Sequence, residues 1–198
     1  MKLFLQMMSD KNITLISKFL SLVLRHQPEL IGIDLDQQGW VDVAVLIKQL
    51  NKHDIVIDLA LLDHVVETNS KKRFAFSDNK EHIRASQGHS VSIDLGYLAQ
   101  TPPDILFHGT GEKSVALILN TGLEKRTRQH VHLSQDLKTA IEVGRRHGKS
   151  VVLIVDAAAM YAEGYSFYLS ENNVWLTDHV PVQFVSLRNE GFGTVKSK

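Results

Sequence analysis

An α+β chain of two lobes is the fold class that this sequence predicts, on three observations. Residues 13–86 read as helices followed by one hairpin, residues 105–185 alternate short apolar strands with helices, and Pro102-Pro103 stand between them. At 198 residues the chain exceeds the usual domain length of about 150 by a third, which suits one domain or two small lobes.

Apolar residues at Ile13, Ile16, Phe19, Leu20, Val23 and Leu24 form a helical stripe, and Pro28 ends the pattern just after Arg25-His26-Gln27. Helical spacing returns in Val45–Leu50 and Ile57–Glu67, with Asp58 placed to meet the helix dipole in the first turn of the second. Arg73–Ser77 and His82–Ser86 flank the turn-rich Asp78-Asn79-Lys80-Glu81, the signature of a β-hairpin. Helices closed by one hairpin suggest a winged helix. Strand alternation turns Phe74 and Phe76 toward a core and displays Arg73; Arg84 is displayed too if the face carrying His82 and Ser86 looks outward. The two prolines put the seam near residue 100, giving lobes 1–99 and 100–198.

In the second lobe, Ile105–His108 reads as a short strand, Ser114–Asn120 as a helix ending at Gly122, His130–Leu133 as a strand, and Leu137–His147 as a helix capped by Gly148. Val151–Val155 is apolar and mostly β-branched, as a buried central strand would be, and Phe167–Leu169, Val174–Leu176 and Val182–Val185 supply further strands.

Lys+Arg 22 against Asp+Glu 22 leaves no net charge, so any anion site must be a local cluster rather than a global field. The absence of Cys excludes thiolate catalysis, disulfides and zinc-thiolate sites. No apolar run reaches signal-peptide length or the roughly 20 residues of a membrane span. A soluble cytoplasmic protein is expected.

Four basic patches are visible: Arg25-His26, Lys71-Lys72-Arg73, Lys125-Arg126-Thr127-Arg128 and Arg145-Arg146-His147. Arg145-Arg146 suits a helix C-terminus, where cations meet the dipole favourably. Arg25-His26 sits where an apolar helix ends and a side chain can leave the core. His130 and His132 share one strand face, but they lack a carboxylate or a further His at ligand spacing, so no metal is expected. No glycine-rich dinucleotide fingerprint, P-loop or G-x-S-x-G elbow occurs. Any nucleotide must bind by other means.

Seven blocks in order resemble the RNA 2′-phosphotransferases, the KptA family of bacteria. They are Ser17–Ser21 with Leu24-Arg25-His26-x-Pro28-Glu29; Asp36-x-x-Gly39-Trp40; Lys72-Arg73-Phe74; Ile83-Arg84-Ala85-x-Gln87-Gly88-His89-Ser90; His108-Gly109-Thr110; Arg128-x-His130-Val131-His132-Leu133-Ser134; and Asn172-x-Val174-Trp175-Leu176. The resemblance runs from about residue 14 to about residue 188. It implies an N-terminal winged-helix lobe for RNA and a C-terminal lobe of the ADP-ribosyltransferase fold, with a mixed β core, for NAD+. It further implies NAD-dependent removal of an RNA 2′-phosphate, as at tRNA splice junctions, with NAD+ consumed. The 2′-phosphate attacks ribose C1″ and expels nicotinamide; ribose O2″ then attacks phosphorus, giving 2′-hydroxyl RNA and ADP-ribose 1″,2″-cyclic phosphate.

By motif match the catalytic set falls on Arg25, His26, Arg73 and Arg128, and the NAD+ contacts on His108, Gly109, Thr110, His132, Ser134 and Val174. Gly109 would let the backbone approach the nicotinamide amide. Trp175 is expected in the core, Arg84 as a phosphate or backbone contact, and His89 receives no role. The implied partners are 2′-phosphorylated RNA and NAD+, with no metal or membrane and a monomer as the default.

The residue chemistry agrees with this. A phosphomonoester carries roughly −1.5 to −2 charges near neutrality and offers three acceptor oxygens, which planar arginine forks bind bidentately. Nicotinamide leaves as a neutral base, so no carboxylic acid is needed to protonate it. Two rivals stay open. One is an ADP-ribosyltransferase that modifies a nucleic-acid phosphate end or another acceptor and omits the second step; the other is a non-catalytic RNA-binding winged helix with a degenerate second lobe.

Overall fold

Helix α1 (Asp10–Val23) forms where the apolar stripe predicts it, and Leu20, Val23 and Leu24 on that stripe lose all solvent contact while Leu15 on the opposite face stays exposed. The computed structural model describes residues 10–188, in two compact units that divide between Tyr97 and Leu98. The described residues are mixed α+β: six α-helices, two short 3-10 helices and small antiparallel sheets.

In the first unit, α1 is followed by strand β1 (Val41–Asp42), helices α2 (Val43–Lys52) and α3 (Leu59–Glu67), and the hairpin β2 (Phe74–Phe76) and β3 (His82–Ala85). Asp42 and Asp58 cap α2 and α3, each carboxylate accepting a backbone N–H at 2.8 Å, from Val45 and Leu61. Asp58 therefore stands just before the first turn, as the N-cap, and satisfies an otherwise orphaned donor within it. The sheet runs β1-β3-β2, with Phe74 opposite Ala85 and Phe76 opposite Ile83. Leu20, Val23, Leu24, Leu46, Leu50, Leu62 and Ile83 form its core.

One strand face departs from expectation. His82 is exposed, yet Arg84 and Ser86 are buried, because a second layer of chain covers β3. The Arg84 guanidinium donates to the carbonyls of Gln38 and Leu95, at 3.4 and 3.3 Å, and lies 4.4 Å from the Trp40 ring centroid. These contacts tie the Asp36–Trp40 turn to the segment after the hairpin.

The second unit is built on β4 (Ile105–Gly111), which runs three residues beyond the expected strand. It pairs with β7 (Ser150–Asp156), which pairs in turn with β11 (Val185–Leu187), so the β-branched run is the central strand. A second sheet has the order β6 (Val131–Leu133), β9 (Trp175–Thr177), β8 (Tyr168–Leu169). The short strands β5 (Leu123–Glu124) and β10 (His179–Val180) form a separate pair. Phe107 and Ser134 exchange two backbone hydrogen bonds of 2.8 Å, joining β4 to the end of β6. Helices α4 (Glu112–Thr121), α5 (Leu137–Arg145) and α6 (Ala157–Ala162) complete the unit, around a core of Leu106, Leu153, Val155, Met160, Phe167 and Trp175.

Val182–Val185 is not the strand that its composition suggests. Pro181 sets a turn, Phe184 N–H returns to the Pro181 carbonyl, and Val182–Phe184 is a 3-10 helix before β11 begins. Helix α5 stops at Arg145 with Arg146 as its cap residue, two residues short of the expected end.

Helix α5 lies directly on β4. A Cβ at Gly109 would fall 1.8 Å from the Ala140 carbonyl oxygen, and one at Gly144 would fall 2.3 Å from Ser150 Oγ and 2.9 Å from the Thr110 carbonyl. Glycine at 109 is thus demanded by helix-on-strand packing. Gly109→Ala is expected to destabilise the protein by at least about 2 kcal/mol, since backbone cannot yield as a side chain does. A chemical melt at pH 7 checks this; a change below 0.5 kcal/mol, the size of an ordinary surface substitution, would contradict the packing.

Candidate active site

The backbone just past α1 stays helical through His26, whose N–H bonds to the Leu22 carbonyl at 2.9 Å. This places Arg25 half-buried at the edge of the core and His26 in solvent. Arg25 Nη2 donates to the Arg73 carbonyl at 3.3 Å, which also accepts the Ser86 N–H at 2.9 Å. Arg73 Nη1 donates to Asn69 Oδ1 at 3.3 Å, and Asn69 Nδ2 donates to Ser17 Oγ at 2.9 Å. Arg25, His26 and Arg73 are therefore gathered on one unit, from the end of α1 and the start of the hairpin.

His26 Nδ1 shares a 2.9 Å hydrogen bond with Ser90 Oγ, and Ser90 N–H donates to the Arg25 carbonyl at 2.9 Å. Sequence reasoning assigned no role to Asn69 or Ser90. Ser90 stood in a quoted block, so its presence was visible while its contact was not; Asn69 carried no signal beyond its place before the lysine pair.

On the second unit, Arg128 Nη1 donates to His132 Nδ1 at 2.6 Å. That nitrogen must be unprotonated to accept, so the proton of the neutral ring lies on Nε2. The His132 carbonyl accepts the His108 Nδ1–H at 3.1 Å, so His108 in turn offers Nε2 as an acceptor. Ser134 Oγ donates to the Asp136 carbonyl and accepts the Asp136 N–H. The β6–β9 register pairs His132 with Leu176 and Leu133 with Trp175; one step further sets Ser134 against Val174. Val174 is half-buried and held by its backbone to Ser170. Thr110 is buried on β4 opposite Val151. Arg128, His132, His108 and Ser134 thus form a second gathering, and the neighbouring Gly109 packs against α5.

Burial lowers the His108 pKa from its ordinary value, and Arg128, His147 and Arg126 lower it further against the opposing bond to His132. Partial desolvation and the neighbouring Arg146 also lower the Arg128 pKa, which leaves a guanidinium cationic at any working pH. The unit thus places His108, which burial disposes to the neutral form, beside fixed cations. Among the described residues no helix is long and apolar enough to cross a membrane, and no three His, Asp or Glu side chains gather as metal ligands.

Comparison with known proteins decides the kinship. Residues 10–179 match the model of the family described as RNA 2′-phosphotransferase, Tpt1 / KptA family. The chain belongs to that family. Similar proteins named probable RNA 2′-phosphotransferase include one from Flavobacterium johnsoniae, 53% identical over 174 residues, covering 88% of this chain and 96% of that protein. One from Acaryochloris marina is 50% identical over 175 residues, 88% and 97% of the two chains, and one from Hahella chejuensis is 52% identical over 178 residues, 90% and 96%. The RNA 2′-phosphotransferase family match spans both gatherings of side chains.

One further histidine lies beside the first gathering. His89 is 1% exposed, and neither ring nitrogen has a hydrogen-bond partner among the described residues. Its Nε2 would lie 3.6 Å from a Cβ added at Gly39, which places it beneath the Asp36–Trp40 turn. Burial first, then the charges of Arg25, His26 and Arg84, lower its pKa from 6.5 to about 3. Folding therefore refuses a proton that the unfolded chain binds below pH 6.5. Stability from this group is complete above that pH and declines as pH falls toward 3, by about 1.4 kcal/mol per pH unit at the one-proton limit. In urea melts between pH 6 and 4, His89→Asn is expected to show a shallower acid decline than the parent. Parallel declines would contradict the assignment.

Proposed function

We propose that the protein is an NAD-dependent RNA 2′-phosphotransferase, its first unit a winged-helix RNA-binding lobe and its second an NAD+-binding lobe of the ADP-ribosyltransferase fold. The observation that carries this reading is the gathering of Arg25, His26 and Arg73 from distant parts of the sequence, in a chain that belongs to this family. Its substrates are RNA with an internal 2′-phosphate, as left at tRNA splice junctions, and NAD+, which is consumed.

In the first step a 2′-phosphate oxygen bonds to C1″ of the nicotinamide ribose. The C1″–N bond breaks with its electron pair on nicotinamide, which departs neutral. The developing positive charge at C1″ resembles that of glycoside cleavage, and the phosphate itself is the anionic nucleophile. Val174 suits this, because no carboxylate is needed to activate the acceptor. His132, with its proton on Nε2, supplies a donor toward the dinucleotide, and His108 Nε2 supplies an acceptor for a ribose hydroxyl; Ser134 and Thr110 complete that lining.

In the second step ribose O2″ bonds to phosphorus and the bond from phosphorus to the RNA 2′-oxygen breaks. The O2″ proton is lost and the 2′-oxygen gains one. Arg25, Arg73 and Arg128 stabilise charge on the phosphoryl oxygens without covalent chemistry by the protein, and His26 delivers the proton to the leaving oxygen.

A short RNA with one internal 2′-phosphate, incubated with and without NAD+ and without added metal, is expected to lose its phosphate only with NAD+. Nicotinamide and ADP-ribose cyclic phosphate, identified by mass, should be released. Arg73→Ala and Arg128→Ala are each expected to slow the second step by about 100-fold or more and to accumulate the ADP-ribosylated RNA. An adduct that the parent enzyme never resolves would instead identify an ADP-ribosyltransferase that stops after the first step.

A further inference from the structure

Two independent contacts join the Ser90 segment to the residues that end α1. The Ser90 N–H is anchored on the Arg25 carbonyl at 2.9 Å, and Val91 N–H adds a longer bond to the same oxygen at 3.4 Å. The Ser90 hydroxyl then meets His26 Nδ1 at 2.9 Å. The preceding residue, His89, is packed in the interior, and Gly88 turns the chain with φ +87°, a conformation that other residues rarely adopt. The hydroxyl is thus held between a buried anchor on one side and a backbone bond on the other. His26 itself is exposed, and an exposed imidazole without such a contact samples several rotamers and both neutral tautomers.

We propose that Ser90 is a positioning residue for the second step: its hydroxyl accepts the His26 Nδ1–H in both protonation states, so that Nε2 is the nitrogen whose proton is given to the RNA 2′-oxygen. This rests on the function proposed above. Which ring nitrogen is protonated is set by the bond that the other makes. Protonated His26 donates Nδ1–H to Ser90 and Nε2–H to the departing 2′-oxygen as the bond to phosphorus breaks. The neutral ring that remains keeps Nδ1–H and regains its Nε2 proton from solvent. The O2″ proton leaves to solvent, so protons balance over the cycle. A serine hydroxyl suits this role because it accepts here without becoming charged, whereas a carboxylate would hold the proton on His26 and neutralise the adjacent Arg25. Charged and titratable groups that face His26 include Arg25, on the same chain turn, and His89, coupled to it electrostatically.

The test combines a spectroscopic readout with a kinetic one. Two-bond 15N–1H spectra of the ligand-free protein, assigned with His26→Asn, are expected to show neutral His26 protonated on Nδ1 in the parent and in Ser90→Thr. In Ser90→Ala the ring should revert to the Nε2–H form that imidazole favours in water. With 2′-phosphorylated RNA and NAD+, Ser90→Ala is expected to form the ADP-ribosylated intermediate at the parental rate, within twofold, and to resolve it about 10- to 100-fold more slowly. Ser90→Thr should restore resolution. The same tautomer in parent and Ser90→Ala, or equal loss in both steps, would overturn the proposal. Absence of any NAD+-dependent turnover by the parent would overturn the function instead, while the spectra still report on the Ser90 contact.

Discussion

Guanidinium groups held by neutral acceptors set the character of this molecule. Arg25 is bound to a carbonyl, Arg73 to a side-chain amide and Arg128 to an imidazole. Those three bonds orient the forks on acceptors that carry no formal charge, whereas a carboxylate in the same places would compete directly with a phosphate for the same donors. Much of the local architecture serves these three contacts. The hairpin presents the Arg73 carbonyl, the loop after α3 presents Asn69, and β6 presents His132. The arrangement also shows how a chain of zero net charge can carry local clusters of cationic donors on each of its units.

The second unit solves a different problem, that of holding two imidazoles uncharged beside cations. His108 and His132 are linked through one carbonyl; that carbonyl sets the tautomer of His108, and Arg128 sets that of His132. Neutral rings can both donate and accept; burial among cations disfavours a proton on His108, and the bond from Arg128 requires an unprotonated Nδ1 on His132.

Much of this was legible in the amino-acid order because it depends on local periodicity. The α1 stripe, the hairpin around Asp78–Glu81 and the β-branched run of β7 stand where their patterns put them. The misreadings arose where distant chain intervenes. Arg84 shares a strand face with His82, yet Trp40, Gln38 and Leu95 cover it, and no alternation rule contains that layer. Val182–Val185 has strand composition, but Pro181 wins locally. At Gly109 the structure adds a demand that no local pattern contains, the close approach of the Ala140 carbonyl. Ser90 and Asn69 were hardest to see, since their partners His26 and Ser17 lie 64 and 52 residues away in the chain.

The exchange of hydrogen bonds between Phe107 and Ser134 joins two three-stranded sheets by a single pair of residues. His108 follows one member of that pair and His132 lies two residues before the other, so both imidazoles hang from the same rivet. Mechanically the two sheets share a seam beside both histidines. The two residues are therefore brought together by the backbone pair at the seam as well as by the bond from the His108 ring to the His132 carbonyl.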